Sequence, residues 1–370
     1  MKKIDWYIVK KFLGAFVYSI ALIILIVVVF DISEKIDNFI EKKAPLNEII
    51  FEYYCNFIPY FVNLFSALFA FIAVIYFTSK MANNSEFVAI YASGISPQRL
   101  LISYVGTALL IGIVNLYLMN FLIPNVNVAR MDFDRKYIHN AYYNRNSNIH
   151  FQANDTTYFY ALSFDNNAFR PSGVKFSVEY IHPEKGLTKK ISAEAIYYDT
   201  ATDNWRLYDY FIRELDTLGE HIQAGHEIQM DLPAVPLDFA IDYSDVSTMD
   251  YHELKQFIER ERLRGSNLLR SYEYEKHMRM SHPFSTLILA LIGFSVASKK
   301  TRGGLGLHLA IGIAIAFLFI VCLQFSRVFA ISNVLPTWVA AWLPIIVFGF
   351  LAVGLNLNYG KALLAKWLGD

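Results

Sequence analysis

The stretch Leu187–Asp216, LTKKISAEAIYYDTATDNWRLYDYFIRELD, lies inside a polar block that runs from about Pro124 to His282. It alternates apolar with polar residues and is rich in β-branched and aromatic side chains, which is typical of β-strands. Three long apolar runs precede the block and three follow it. The predicted fold class is therefore membrane α plus β, with six transmembrane helices and an inserted water-soluble β-domain.

The composition places the chain among membrane proteins. It is 55% hydrophobic and 16% aromatic, and only 18% of its residues are charged, which is less than soluble domains carry. The formal net charge is zero, so no basic field favours a nucleic-acid partner. Cys55 and Cys322 lie inside apolar runs and offer neither a disulfide framework nor a metal-ligand spacing. We expect no metal, no cofactor and no nucleic acid.

Six apolar runs are candidates for membrane-spanning helices, each of which needs about 20 mostly apolar residues. In lipid each run must be helical, because no water is present to satisfy the backbone. The fourth run is the shortest and is extended by the preceding His282-Pro283. The six runs are Phe12–Phe30, Phe57–Thr78, Leu101–Ile123, Phe284–Ala297, Leu305–Ala330 and Trp338–Leu357.

Lysine and arginine residues predict the orientation, because they concentrate in cytoplasmic segments close to the membrane. With six crossings, the basic residues at the start of the chain, after the second and fourth runs and after the sixth all fall on one side. Both termini are therefore predicted in the cytoplasm and the polar block outside. The outer segment Asp31–Glu52 runs against this trend, because it contains Lys35, Lys42 and Lys43.

These patterns divide the chain into four segments. Residues 1–123 hold three helices and a short loop helix at about 85–94, and residues 124–246 form the β-domain. Residues 247–281 form a connecting helical segment, and residues 282–370 hold the last three helices. The predicted strands are Ile149–Ala153, Thr156–Phe164, Val174–His182, Leu187–Tyr198, Trp205–Asp216 and Glu227–Leu232.

The regular spacing of these strands predicts an antiparallel sandwich or jelly roll. After Pro236 the pattern becomes helical. Ser247 and Asp250 have the spacing of a capping box, and a charged helical stretch, Tyr251–Met280, leads back to the membrane.

The segment Met81–Arg99, MANNSEFVAIYASGISPQR, predicts a short amphipathic helix. Ser85 is predicted as its N-cap, Glu86 lies at its start, and Gly94 is typical of a residue that ends a helix. Such a helix either lies on lipid or binds a cytoplasmic partner, and its small number of charges favours a partner. Its apolar face consists of residues at i, i+3 and i+4: Phe87, Ile90 and Tyr91.

Two interpretations of the outer lysines stay open. In the first, Lys35, Lys42 and Lys43 are solvated and neutralised by neighbouring acids, which are Glu34, Asp37 and Glu41. In the second, they attract phosphate groups at the outer membrane surface. Arg327, near the outer end of the fifth run, either joins them or extends to the membrane interface.

The stretch Tyr272–Gly306, YEYEKHMRMSHPFSTLILALIGFSVASKKTRGGLG, combines a charged helix, a proline-led apolar run and a basic, glycine-bearing turn. This pattern resembles the LptF/LptG permease family, the membrane subunits of the lipopolysaccharide exporter. The ending Leu335–Pro344 and the order of helices and polar block are similar as well, whereas the β-rich block matches no motif. The matching residues are Glu86, Ala89, Gly94, Ser96, Glu275, His277, Arg279, Pro283, Gly293, Arg302, Gly303 and Gly304.

The resemblance implies a bacterial inner-membrane location with the β-domain in the periplasm. It implies a second LptF/LptG-like permease, a cytoplasmic LptB-like ABC ATPase dimer and a periplasmic LptC/LptA-like bridge as partners. It further implies that lipopolysaccharide enters beside the first and fifth helices and leaves through the jelly-roll domain. Residues 85–94 would be the coupling helix. Whether the chain is F-like or G-like stays open.

The residues themselves argue against catalysis. The chain contains no G-x-x-x-x-G-K-[ST], G-x-S-x-G or H-E-x-x-H motif, so ATP hydrolysis is expected from a partner chain. The predicted function is a lipopolysaccharide-exporting permease subunit. A membrane-anchored sensor or mechanotransmission protein is the alternative, although a short tail leaves little room for an output domain. An intramembrane lipid enzyme would need paired acids or histidines within the helices.

Overall fold

The computed structural model describes residues 3–138, 148–165, 171–200, 202–216, 219–239, 243–266, 268–301 and 303–368. Within these ranges, six helices are long and apolar enough to cross a membrane, which confirms the predicted fold class. We call them spans 1 to 6. Their bounds are Lys3–Glu41, Leu46–Asn83, Pro97–Ile138, Leu269–Ala297, Gly304–Ile331 and Thr337–Leu357, the last lying in a helix that extends to Leu368.

Several spans are longer than their apolar runs, because the helices continue into the flanking polar residues. Span 1 has 39 residues and contains the whole charged stretch from Asp31 to Glu41. Spans 2 and 3 include π-helical turns at Ile49–Tyr54, Leu118–Leu122 and Asp134–Ile138. The apolar stripe that follows Phe30 therefore belongs to one continuous helix, as its period predicts.

The spans differ in how far their apolar windows are buried. The buried share is 67% in span 4, but only 11% in span 1 and 22% in span 5. Span 4 is thus the centre of the bundle, and it permits close packing at Gly293, where an added Cβ would lie 3.0 Å from Val74. Spans 1 and 5 leave most of their apolar surface to lipid or to another protein.

The chain divides into two compact units. The first consists of Met1–Ile36, Ile49–Asn127 and Glu273–Asp370, and the second of Asp37–Glu48 with Val128–Tyr272. The second unit therefore includes part of the predicted connecting segment 247–281 as well as the strands.

The second unit contains a six-stranded antiparallel sheet in which consecutive strands are neighbours. Its core is apolar, and the fully buried Trp205 donates its Nε1–H to the carbonyl of Ala234 at 2.8 Å. Since the described strands form a meander, the two-sheet arrangement of a jelly roll stays a prediction. The strands are β1 (Ile149–Asn154), β2 (Thr157–Asp165), β3 (Ser172–His182), β4 (Gly186–Asp199), β5 (Asn204–Asp216) and β6 (Gly219–Met230).

The prediction of the sixth strand was wrong in its bounds. It was placed at Glu227–Leu232, whereas β6 pairs with β5 along Gly219–Met230. Most of β6 is exposed, so no buried face generates the alternation that marks a strand in sequence. Leu232 lies beyond the strand and packs in the core.

The predicted charged helix Tyr251–Met280 is two helices. Tyr251–Leu263 ends before Gly265, whose φ of +68° favours glycine, and span 4 begins at Leu269. The predicted cap at Ser247 was also wrong, because Asp250 is the N-cap and forms a capping box with Glu253. Ser247 lies in a preceding 3-10 turn. Ser247 and Asp250 are both suitable cap residues, and the position at which the backbone becomes helical decides which of them is the N-cap.

Candidate functional site

The predicted loop helix exists and spans Glu86–Ala92 between spans 2 and 3. Ser85 precedes it with a φ of +59°, but its side chain makes no capping hydrogen bond. Gly94 has a φ of +84°, and its N–H donates to the Tyr91 carbonyl at 3.0 Å. Span 3 then begins with Ser96 as N-cap and Pro97 in the first turn. The turn residues therefore end the loop helix where the sequence predicts.

The apolar face of the loop helix packs into the chain's own core. Phe87 is 3% exposed, and its ring centroid lies 6.3 Å from that of Phe294 in span 4. Ile90 and Tyr91 are half-buried against the same cluster. Phe87 is therefore a packing residue, and the expectation that it forms an exposed docking surface needs correction. An amphipathic helix has the same period whether its apolar side meets lipid, a partner or its own chain.

The exposed side of the loop helix is small and uncharged. Val88 is 63% exposed, and Ala89, Ala92 and Ser93 are exposed beside it. Gly94 is exposed at the end of the turn. A protein that binds the loop helix in this conformation contacts these residues.

Glu86 contacts span 1. The Tyr7 hydroxyl donates to Glu86 Oε2 at 2.8 Å, and Lys11 Nζ donates to Oε1 and Oε2 at 3.2 and 3.1 Å. We call these three residues the Glu86 cluster. Burial alone would raise the pKa of the Glu86 carboxyl, but the hydrogen bonds from Tyr7 and Lys11 and the Lys11 charge outweigh it and lower the pKa.

The turn between spans 4 and 5 lies against the same loop. Lys300 Nζ donates to Ser85 Oγ at 3.1 Å. The buried His308 of span 5 also contacts span 2, with its Nδ1 2.7 Å from Ser79 Oγ. Arg302, which carries part of the resemblance, lies outside the described residues. Two loops that the sequence predicts on one membrane side are thus in direct contact.

Lys35 is held by residues of its own chain. Its Nζ lies 2.7 Å from Asp31 Oδ1 and also donates to the Tyr53 hydroxyl, while the Tyr54 hydroxyl donates to Asp31 Oδ2 at 3.1 Å. The ammonium also lies 4.8 Å from the centre of the Tyr53 ring. The neutralising acid is therefore Asp31, one helical turn earlier, which was not among the acids expected from the sequence.

The remaining candidate cations occupy different environments. Lys43 is exposed with a φ of +51°, and Lys42 is half-buried. Arg327 is half-buried in span 5 and interacts electrostatically with Tyr274 of span 4.

Glu275 and Arg279, which carry part of the resemblance, have a contact that the sequence analysis does not predict. In the structure they form an ion pair inside span 4, with Arg279 Nε 3.4 Å from Glu275 Oε1. The Arg279 side chain is buried. A buried charged side chain needs a partner, because its desolvation is costly. The sequence does contain a signal of this ion pair, because opposite charges at i and i+4 share one face of a helix.

The described residues contain no group of three or more His, Cys, Asp or Glu side chains that could hold a metal ion. Cys55 and Cys322 are unpaired thiols.

Comparison with protein families identifies the chain. Residues 6–358 match the model of the family described as lipopolysaccharide export system permease LptF/LptG. The chain belongs to the LptF/LptG family. A comparison with curated proteins found no match.

Membership in the LptF/LptG family confirms the resemblance, which rested on the loop helix and on the region around span 4. It makes the chain a multi-pass membrane component of lipopolysaccharide export. Of the alternatives that the sequence left open, transport is therefore correct at the family level, and the sensor interpretation is not supported.

Proposed function

We propose that this LptF/LptG chain is the permease subunit of an ABC transporter. It extracts lipopolysaccharide from the inner membrane and passes it to a periplasmic LptC/LptA-like bridge. A separate LptB-like ATPase dimer supplies energy, and a second LptF/LptG-like permease completes the membrane part. The family match over residues 6–358 carries this proposal. The low burial of spans 1 and 5 supports it, because a second permease or a lipid would cover their apolar surface.

The proposal includes an orientation. Both termini, the loop helix and the turn around Lys300 face the cytoplasm, and the sheet faces the periplasm. Support comes from the lysine and arginine distribution. The contact between Lys300 and Ser85 agrees with it, because the two loops must then lie on one side.

The ATPase binds the exposed side of the loop helix in this proposal. Val88 and Ala89 provide the contact, whereas Phe87, Ile90 and Tyr91 hold the helix in place and Gly94 ends it. The discriminating residue is Val88, because it is the largest apolar side chain on the exposed side of the loop helix. A contact at Val88 would remove its apolar surface from water.

Copurification in mild detergent tests the ATPase contact. Val88→Asp should reduce ATPase recovery about fivefold or more, since a carboxylate in an apolar contact costs roughly 1–3 kcal/mol or more. Val334→Asp is a matched control, because Val334 is also a valine with 63% exposure but lies in the loop between spans 5 and 6. Equal recovery from both variants would contradict docking at Val88.

Lys35, Lys42, Lys43 and Arg327 bind the phosphate groups of lipopolysaccharide in this proposal. The pairing of Lys35 with Asp31 means that a phosphate must compete with a carboxylate. Charge-assisted contacts to phosphate are strong enough to do so when they are desolvated.

Photocrosslinking of lipopolysaccharide to a probe at Ile36 tests this site. Ile36 is exposed, whereas the neighbouring Phe39 is buried and unsuitable for a probe. Lys35→Glu should lower the crosslink yield, and Asp31→Asn should raise it by removing the competing carboxylate. Identical yields in wild type and both variants would show that Lys35 serves only its own helix.

A further inference from the structure

The N-terminal part of span 1 contacts both ends of the loop that carries the loop helix. At the start of the loop helix, Glu86 accepts hydrogen bonds from Tyr7 and Lys11. At the other end of the loop, Asp5 lies 2.7 Å from Arg99, which lies in the first turn of span 3. The Ser103 hydroxyl also donates to Asp5 at 2.8 Å, and Asp5 is buried.

Apolar packing joins the same elements between these polar contacts. Ile8 and Phe12 of span 1 belong to the cluster that contains Phe87 of the loop helix. The Phe12 ring lies 6.4 Å from Tyr104 of span 3. The loop helix and the N-terminal turns of span 1 therefore share one core.

The apolar middle of span 1 has few contacts within the chain. Only 11% of its apolar window is buried, which is the smallest share of the six spans. Its attachment therefore lies near its two ends, at the N-terminal turns and where Asp31 and Lys35 contact Tyr53 and Tyr54 of span 2. The N-terminal turns of such a helix can follow the loop helix to which they are bound, while its middle has few contacts that would resist.

We propose that Lys11 and Tyr7 are positioning residues that couple the loop helix to span 1. A displacement of the loop helix then carries the N-terminal turns of span 1 with it. This inference rests on the proposed function, in which an ATPase displaces the loop helix. It assigns the route by which that displacement reaches the span that faces the lipid. The competing explanation is that Glu86 acts by binding a cation of the ATPase directly.

Charge exchange distinguishes the two explanations. Lys11→Glu and Glu86→Lys each place like charges together, whereas the double variant restores an opposite pair. We expect each single variant to lower lipopolysaccharide export about fivefold or more, as loss of roughly 1 kcal/mol implies. We expect the double variant to regain most of the wild-type export. ATPase recovery should be the same in wild type, the two single variants and the double variant. Lys10→Glu is the matched control, because it reverses the charge of an exposed neighbouring lysine.

Other outcomes of this experiment would overturn the inference. If the double variant exports as poorly as Glu86→Lys, and ATPase recovery falls in both, Glu86 serves the partner and not span 1. If wild type recovers no ATPase, the proposed function fails and this inference fails with it. Gel filtration of each variant separates these outcomes from misfolding.

A covalent bridge provides a second test that does not depend on charge. Cysteines replace Tyr7 and Glu86 in a chain with Cys55→Ser and Cys322→Ser, and a short bis-methanethiosulfonate reagent joins them in proteoliposomes of the full complex. We expect low export before bridging, recovery after bridging and loss again after reduction. Export that falls on bridging would show that the two elements must separate, which contradicts the inference.

Discussion

At the scale of single residues, Phe87 and its neighbour Val88 have opposite environments. Phe87 is buried in the core, and Val88 is exposed. Truncation of Phe87 to alanine should lower the free energy of unfolding by roughly 3–5 kcal/mol, because it leaves a cavity. Val88→Ala should change it by less than about 0.5 kcal/mol. Thermal unfolding of the full chain in detergent measures both effects, and similar shifts in the two variants would contradict the observed packing.

The Glu86 carboxyl predicts a dependence of stability on pH. Its pKa is lower in the folded chain, so the cluster stabilises the fold above the unfolded pKa of about 4.3 and stops doing so as the pH falls through the folded pKa. The melting temperatures of wild type and Glu86→Gln should therefore differ near pH 7 and converge only as the pH falls through the folded pKa of Glu86, which lies below the unfolded value. Glu184→Gln, in an exposed turn, is the control. If the melting temperatures differ by a constant amount across this range, the charge of the Glu86 carboxylate is not the source of the difference.

At the scale of elements, the end of the loop helix depends on one backbone conformation. Gly94 has a φ of +84°, and nothing lies within 4 Å of the Cβ that a larger residue would have. Gly94→Ala should therefore destabilise the chain by about 1–2 kcal/mol, for conformational reasons alone. Gly14→Ala in span 1 is the matched control, because its Cβ also meets open space but its φ is not positive. Equal melting temperatures for the two variants would show that the turn can change its conformation freely.

At the scale of the whole molecule, the orientation in the membrane can be measured directly. A cysteine at Lys185, in the turn between β3 and β4, should react with a membrane-impermeant maleimide in cells with a permeabilised outer membrane. A cysteine at Ser93, after the loop helix, should react only after the inner membrane is lysed. Both positions are exposed, so access to the reagent depends on the membrane side. The reverse pattern would refute the proposed topology.

Local patterns in the sequence determined the elements of this protein. Apolar run length predicts the six spans, because lipid provides no partner for an unpaired backbone. Alternation predicts five of the six strands closely, and it fails at β6, which has almost no buried face. Gly94 and Pro97 mark the ends of the helices around the loop, because glycine readily adopts the positive φ found there and proline fixes φ at a helix start.

Only the tertiary structure decided what each side chain meets. Phe87 has the same place in a helical repeat whether it faces a partner or its own core, so the period alone could not assign its role. Lys11 and Glu86 are 75 residues apart, and nothing in the spacing of charges pairs them. Asp31 and Lys35 have the local i,i+4 spacing, but their contacts with Tyr53 and Tyr54 depend on how spans 1 and 2 pack together. Burial and ion pairing depend on which segments pack together, and that information is not contained in any local window of the chain.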